Sequence, residues 1–352
     1  MSTVTSLDSS VYYKEQYWDS FPQAEKYIQF QATGNPSHDS ITDFKLRYGK
    51  KPFKHGLFLN CGNGWLERWF IKQGLVEKAT AFDCSQTLIE EAKQKKGKLA
   101  ITYFVADANT IELPEETYDL VVNSAALHHV QYLNRFCYQI FRSMKQHGVF
   151  FHYDYIGPHR NQYSKKDWSL INSVNNSLPA SIRKEPLPYP HLPTMVISDP
   201  SEAIHSELIT TYLSRYFHFD QRNDISGMIA YNILSLNQKL HKGESNKAIA
   251  SVIETDRKAF ADGKIPPLFS YMLTHKKQPS SLTSRRIWYW QLEENLRERD
   301  SKLIEWTYSI GEYWALISHS KKKQRLFRLG LYLCSRVISA LQLAIGYVFC
   351  AV

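Results

Sequence analysis

Residues 56–64 read GLFLNCGNG, and the run WLERWFIKQG (65–74) follows at once. The first six residues are a short apolar stretch of the kind that forms a strand buried on both faces. The glycines mark a tight turn, and apolar residues at 65, 66, 69 and 70 predict a helix that stops at Gly74. The same rhythm repeats outward. KATAFDC (78–84) reads as a second strand, and SQTLIEEAKQKKG (85–97) as a helix with Ser85 as N-cap and Gly97 as its stop. ITYFVAD (101–107) and YDLVVNSAAL (118–127) read as strands three and four, residues 131–146 as a helix, and GVFFHYDYIG (148–157) as strand five. This order, β-α-β-α-β-β-α-β with short connections, implies a parallel sheet with helices on both faces and right-handed crossovers. Ligands of such sheets sit outside the carboxyl ends of the strands, near the point where the strand order reverses.

The flanks differ in character. Residues 1–55 are polar and aromatic-rich, broken by Gly34, Pro36, Gly49 and Pro52, and read as an N-terminal helical cover. Residues 158–200 hold seven prolines, which excludes a long regular element, and read as an inserted loop-and-helix lid over the ligand edge. Beyond it, 201–216 reads as a helix, FHFDQRND (217–224) as a strand, 228–240 and 248–263 as helices, and LFSYMLTHKK (268–277) as the final strand. QPSSLTS (278–284) is a polar linker.

Four signals fall at strand carboxyl ends. The loop Asn60-Cys61-Gly62-Asn63-Gly64 leads into a helix N-terminus, which favours polar or anionic groups. Asp83 ends strand two, 19 residues after Gly64, where an acid can hold a ribose diol. Asp107-Ala108 ends strand three, and Asn123-Ser124-Ala125-Ala126-Leu127-His128-His129 ends strand four. With these four in register, the chain resembles the class I S-adenosylmethionine-dependent methyltransferases. The resemblance is carried by LFLNCGNGWLE (57–67), AFDCS (81–85), VADANTIELPEETYDLVVNSAALHHV (105–130) and FRSMKQHGVFFHYDY (141–155), and covers roughly residues 50–277. It implies an α/β, Rossmann-like seven-stranded methyltransferase sheet over 56–277 and S-adenosylmethionine as cofactor. Carried over, Asn60, Gly62 and Gly64 would pack on the methionine part, Asp83 with Cys84 would hold the ribose, and Asp107 with Ala108 would frame the adenine. Asn123 would line the floor near the methyl group.

Asn60 stands where the family usually has its first loop glycine, and Phe58 where an acid is common. Asn tolerates left-handed backbone better than most residues. The substitution leaves a second reading open, a catalytically impaired methyltransferase-like scaffold or regulator. A dinucleotide dehydrogenase fits poorly, because GNG is followed by Trp65-Leu66 and lacks the third glycine of that fingerprint.

Methyl transfer needs a nucleophile held in line and water excluded. For a hydroxyl acceptor a general base adds rate, and the candidates are His128, His129 and Asp154, with His152 beside them. No metal is expected. The stretch 153–163 resembles a bacterial branch of the family linked to glycan and cell-surface polysaccharide modification, which implies a glycan or small-molecule acceptor.

The C-terminal region, 285–352, reads as a helical extension. Apolar residues at 292, 296, 303, 306, 310, 313 and 317 predict a helix over 285–319, either a homodimeric coiled coil or a helix packed on its own domain. KKKQRLFR (321–328) precedes 24 residues whose single charge is Arg336. A membrane-bound tail over 321–352 is one reading, with its cations on the inner face; a buried helix or partner contact is the other.

The chain has 352 residues with 43 Lys+Arg against 34 Asp+Glu, a net +9. Residues 281–352 hold eleven Lys+Arg and six Asp+Glu, so +5 of that excess lies in the last fifth, and no basic stripe pairs with a nucleic-acid motif elsewhere. Five cysteines, at 61, 84, 137, 334 and 350, lack zinc or disulfide-framework spacing. MSTVTSLDSSVYYKEQYWDS (1–20) has no basic start or apolar core, so no signal peptide is expected and a cytoplasmic location follows.

Overall fold

In the computed structural model the described residues are 17–192, 195–196, 199–242, 246–278 and 282–298. Seven strands form one sheet: β1 (Phe53–Phe58), β2 (Val76–Asp83), β3 (Ile101–Val105), β4 (Tyr118–Ser124), β5 (Met144–Tyr155), β6 (Phe217–Ile225) and β7 (Phe269–Lys276). Their order is β3-β2-β1-β4-β5-β7-β6. The expected parallel arrangement holds for β1 to β5, while β7 runs antiparallel between β5 and β6. The order reverses between β1 and β4, so the cleft of such a sheet lies above their carboxyl ends.

The helices are α1 (Pro22–Thr33), α2 (Ser40–Tyr48), α3 (Trp65–Lys72), α4 (Gln86–Lys95), α5 (Leu133–Ser143), α6 (Lys165–Ser177), α7 (Ile209–Tyr216), α8 (Met228–Leu234), α9 (Asn246–Ala261) and α10 over 284–298. Successive strand residues point to opposite faces, and the central strands are apolar at both. Leu57, Val121 and Phe150 pack with α5 and α7, through Phe136, Ile140, Tyr212 and Tyr216. Phe58, Val122 and Phe151 face the other way, against Phe44 of α2, Phe70 of α3 and Ile89 of α4. A third core joins α1, α6, α8 and α9 around Tyr155, Tyr163, Ile229 and Val252.

Local chemistry explains most element ends. Ser85 Oγ accepts from Leu88 N at 3.3 Å and caps α4. Pro22 opens α1, and Gly34 closes it in the left-handed conformation. Several boundaries differ from the sequence expectation: β1 runs 53–58 rather than 56–61, α5 runs 133–143 rather than 131–146, and β5 begins at Met144 rather than at 148. Residues 201–205 are turns rather than the start of a helix, because Ala203 and His205 take φ of 51° and 70°; α7 begins only at Ile209. The helix expected over 228–240 stops at Leu234, because Leu236 also has positive φ, 54°.

Two helix starts are capped from far away in sequence. The first turn of a helix has amide hydrogens with no partner in the helix itself. At α8 the fully buried Asp256 carboxylate of α9 accepts from Gly227 N at 3.0 Å, Ile229 N at 2.8 Å and Ala230 N at 3.1 Å. Tyr27 Oη of α1 donates to the same group at 3.1 Å. At α5 the Glu294 carboxylate of α10 accepts from Asn134 N, and from Arg135 N at 2.8 Å. Helix α10 is therefore docked on this chain through 298, helped by Arg215–Glu293 at 2.7 Å and by Trp290 against Tyr216. The remainder of the expected 285–319 helix, and the 321–352 tail, lie outside the described residues.

Replacing Asp256 with Ala should strand several buried donors at once, and each costs about 1–3 kcal/mol. The expected loss in urea unfolding is more than about 2 kcal/mol; a change within 0.5 kcal/mol, to about the precision of such a measurement, would remove the capping role.

Candidate active site

The glycine loop turns back over the end of β2. Asn60 adopts φ 42°, the left-handed region in which the family uses glycine, and its Nδ2 donates to Ala126 O at 3.4 Å. The loop is thus closed with Asn at this position. Gly64 has φ 77°, and a Cβ there would lie 2.5 Å from Tyr103 Oη and 2.7 Å from Glu67 Oε1. The positive φ favours glycine, and a Cβ would press on these side-chain ends. The Phe58 ring lies in the core against Phe70, with ring centres 5.3 Å apart.

Asp83 joins the loop to α4. Its Oδ2 accepts from Gly62 N and its Oδ1 from Ser85 N, both at 2.9 Å. Each carboxylate oxygen retains acceptor capacity beyond these bonds. Cys84 follows it, exposed as a residue but with its thiol partly desolvated, and this together with Asp83 and Asp107 pushes the thiol up to about 11. Across the strand ends, Asp107 is exposed and accepts from Asn109 N at 2.8 Å, while Ala108 is buried. Asn109 Oδ1 in turn accepts from Gln131 N at 2.9 Å and Tyr132 N at 3.0 Å, which ties the β3 loop to the loop after β4.

The remaining sequence candidates converge on Asp154. This carboxylate of β5 has no exposed surface and accepts from five donors. Its Oδ2 takes Asn123 Nδ2 at 2.8 Å, Ala126 N at 3.1 Å and Leu127 N at 2.7 Å. Its Oδ1 takes Tyr155 N at 2.8 Å and His128 Nδ1 at 2.5 Å. Burial works against charge on both partners, but each offsets it for the other. The Asp154 carboxylate pushes His128 up to about 9, and His128 holds Asp154 well below the usual carboxylate range. Asn123 is also fully buried and bridges Asp154 to His152 Nδ1, at 2.9 Å. Burial pushes His152 down to about 4 and keeps it neutral. Asp154 and Asn123 therefore act from beneath the site, whereas His129 is half-buried and opens toward solvent. Its pKa is lowered, first by burial and then by the charge on His128.

Three residues of this neighbourhood were not read from the sequence. Ser201 Oγ bonds His129 Nδ1 at 3.0 Å, and Glu202 Oε2 lies 3.8 Å from His128 Nε2 and 3.9 Å from His129 Nε2. Both belong to the turn at 201–205 that was expected to be helical. The third is Glu67, a fully buried carboxyl at the start of α3 beneath the glycine loop, which burial pushes up to about 7.

Residues 57–152 match the family model described as a methyltransferase domain. The chain is 29% identical over 147 residues to a ubiquinone biosynthesis O-methyltransferase of Pelagibacter ubique, covering 39% of this chain and 58% of that protein. It is 27% identical over 111 residues to a malonyl-[acyl-carrier protein] O-methyltransferase of Bacillus cereus, covering 32% of this chain and 39% of that one. The chain thus spans a little over half the length, or less, of these relatives. Among solved structures, an S-adenosylmethionine-dependent methyltransferase from Mesorhizobium loti aligns with a TM-score of 0.44 at 17% identity, over 68% of this chain and 98% of that one. The sheet order is that of the Rossmann-like, seven-stranded methyltransferase fold, and residues 57–152 within it match a methyltransferase domain.

Glu67 makes a pH prediction. Its folded pKa, about 7, lies above the ordinary value of 4.5, so the stability it contributes is full below 4.5 and is lost as pH rises through 7. Glu67→Gln should shrink the drop in melting temperature between pH 5 and pH 8. An unchanged drop would mean that Glu67 is not held in this buried, unpaired setting.

Proposed function

We propose that this protein is an S-adenosylmethionine-dependent methyltransferase acting on a hydroxyl of a glycan or other small acceptor. The observation that carries the reading is the bracket at the reversal point of the sheet, where Asp83 grips the amide of Gly62 and closes the loop under the cleft. The chain's residues suit the cofactor. The left-handed glycines Gly62 and Gly64 leave bare backbone at the loop, Asp83 offers acceptors for a diol, and Asp107 with Ala108 would flank the adenine. S-adenosylmethionine supplies a methyl carbon already activated by a positive sulfur, and its loss leaves a neutral thioether.

What the protein must add is placement, exclusion of water and an outlet for the acceptor's proton. His129, which burial and the charge on His128 keep neutral, stands at that outlet beside Glu202, while His128 already carries its proton and would bind and orient the acceptor oxygen. Asp154 is a positioning residue, since it fixes the His128 ring from below through Nδ1 and has no surface of its own. The segment through α6, which would serve as the lid, packs against α8, with Lys184 Nζ donating to Asn232 O at 2.9 Å and Ser235 O at 2.7 Å. The oxygen acceptor is favoured by the half-open imidazole and carboxylate, and is in line with the two relatives named as O-methyltransferases. The left-handed Asn60 supports a working loop rather than an impaired scaffold.

Calorimetric titration with S-adenosylmethionine should show binding, and Asp83→Asn should weaken it about ten- to hundredfold, the worth of a hydrogen bond to a charged group. No binding at high micromolar ligand overturns the reading. We also propose that residues 321–352 attach the protein to an anionic membrane surface, on the strength of the five cations between 321 and 328 and the apolar run behind them. Deleting 321–352 should then release the protein from anionic vesicles in flotation. Full-length protein that does not float with those vesicles would exclude it.

A further inference from the structure

Two histidines and a glutamate converge at the edge of the cleft with their outward atoms directed at one point. One ring nitrogen from each of His128 and His129 and a Glu202 carboxylate oxygen all lie within 4.8 Å of one another, and both Nε2 atoms face the same Glu202 Oε2. The separations to Glu202, 3.8 and 3.9 Å, are too long for hydrogen bonds. What they share is a space between them.

The hydrogen bonds behind the rings set which nitrogen faces that space. Asp154 can only accept, so the proton it shares with His128 sits on Nδ1. Ser201 Oγ donates to Asp199 Oδ1 at 2.9 Å, so toward His129 it accepts, and His129 carries its proton on Nδ1 as well. In the neutral tautomer each ring then presents an Nε2 lone pair to Glu202. A carboxylate behind one imidazole and a polar chain behind the other is the outer shell by which metal-binding histidines are oriented.

We propose that His128 Nε2, His129 Nε2 and the Glu202 carboxylate bind a divalent transition-metal ion of the zinc type, with an open position for the acceptor oxygen. Two imidazoles and one carboxylate form a donor set for Zn²⁺, Co²⁺, Mn²⁺ or Fe²⁺, whereas Mg²⁺ and Ca²⁺ favour all-oxygen sites. Bonds of about 2.0–2.2 Å place such ligands roughly 3.3 Å apart, so each histidine must approach Glu202 by about half an ångström, and the two rings, within 4.8 Å of each other, must close to a similar separation. The side chain of Glu202 is 27% exposed and that of His129 33%, which leaves room for that movement and for a fourth ligand. The ion displaces the Nε2 proton of His128 and releases it to solvent. The second such cluster, His159, His205 and Glu207, is less suited, because His205 already pairs with Glu298.

The use of the ion rests on the methyl-transfer reading; its binding does not. At the open position an acceptor hydroxyl would lose its proton to solvent more readily, leaving an oxyanion as nucleophile. The oxygen–methyl bond then forms as the sulfur–methyl bond breaks, and the sulfonium becomes a thioether.

The test uses untagged full-length protein, titrated with Zn²⁺ by calorimetry and with Co²⁺ by visible absorption. One equivalent should bind with micromolar affinity or better and raise the melting temperature. Glu202→Gln and His129→Gln should each weaken binding at least about a hundredfold while circular dichroism stays unchanged. Ser201→Ala should weaken it about tenfold, as loss of an outer-shell partner does. His159→Gln should leave it unchanged. Absence of stoichiometric binding, or binding that survives both Glu202→Gln and His129→Gln, overturns the proposal. S-adenosylmethionine affinity is measured on the same samples. Cofactor binding without metal binding defeats this inference alone, and metal binding without cofactor binding defeats the methyl-transfer reading alone.

Discussion

The arrangement above the strand ends depends on one buried anion. A carboxylate taken out of water survives only if its lone pairs are filled by donors, and Asp154 fills its own with an amide side chain, an imidazole and three backbone amides. Each bond constrains a different piece. Ala126 N and Leu127 N fix the turn after β4, His128 is held in one ring orientation, and Asn123 is locked against His152. Remove the charge and all of these lose their common reference. The site's geometry is thus the geometry of satisfying Asp154.

Most of the sheet was legible because its signals are local. Leu57, Val121 and Phe150 sit in apolar runs too short for helices, and Ser85 and Gly34 mark helix ends within a few residues of the atoms they satisfy. The loop and Asp83 were legible for the same reason, since their spacing follows from one strand–loop–helix unit. Two of the boundaries that failed, at Ala203 and Leu236, turn on single residues with positive φ that carry no glycine to announce them.

The rest was illegible because it depends on distance. Glu202 meets the histidines only through the fold of the intervening segment, and nothing in SEAIHSE marks it as a partner of residues 128 and 129. Glu67 is an ordinary first-turn acid in the helix pattern; its burial follows from Tyr103 and the loop closing over it. Glu293, Glu294 and Glu298 look like the solvated face of a helix, yet they are the side of α10 that meets the domain. A polar pattern reads as exposed unless the unpaired amides it serves are already known.

That distance also governs how the chain can assemble as it is synthesised. The amides at the start of α5 wait for a carboxylate 160 residues downstream, and those of α8 for one that follows by 26 to 29. A ribosome delivers residues in order, at about 5–20 per second. The front half of the sheet emerges with its strands in hand but with the first turn of α5 unfinished for at least about 8 seconds. During that interval its exposed amides and apolar face are open to water, to chaperones or to a second nascent chain. Helix α10, the last among the described residues, is therefore a closing step in folding, and truncations before residue 294 should be judged by yield and aggregation as well as by activity.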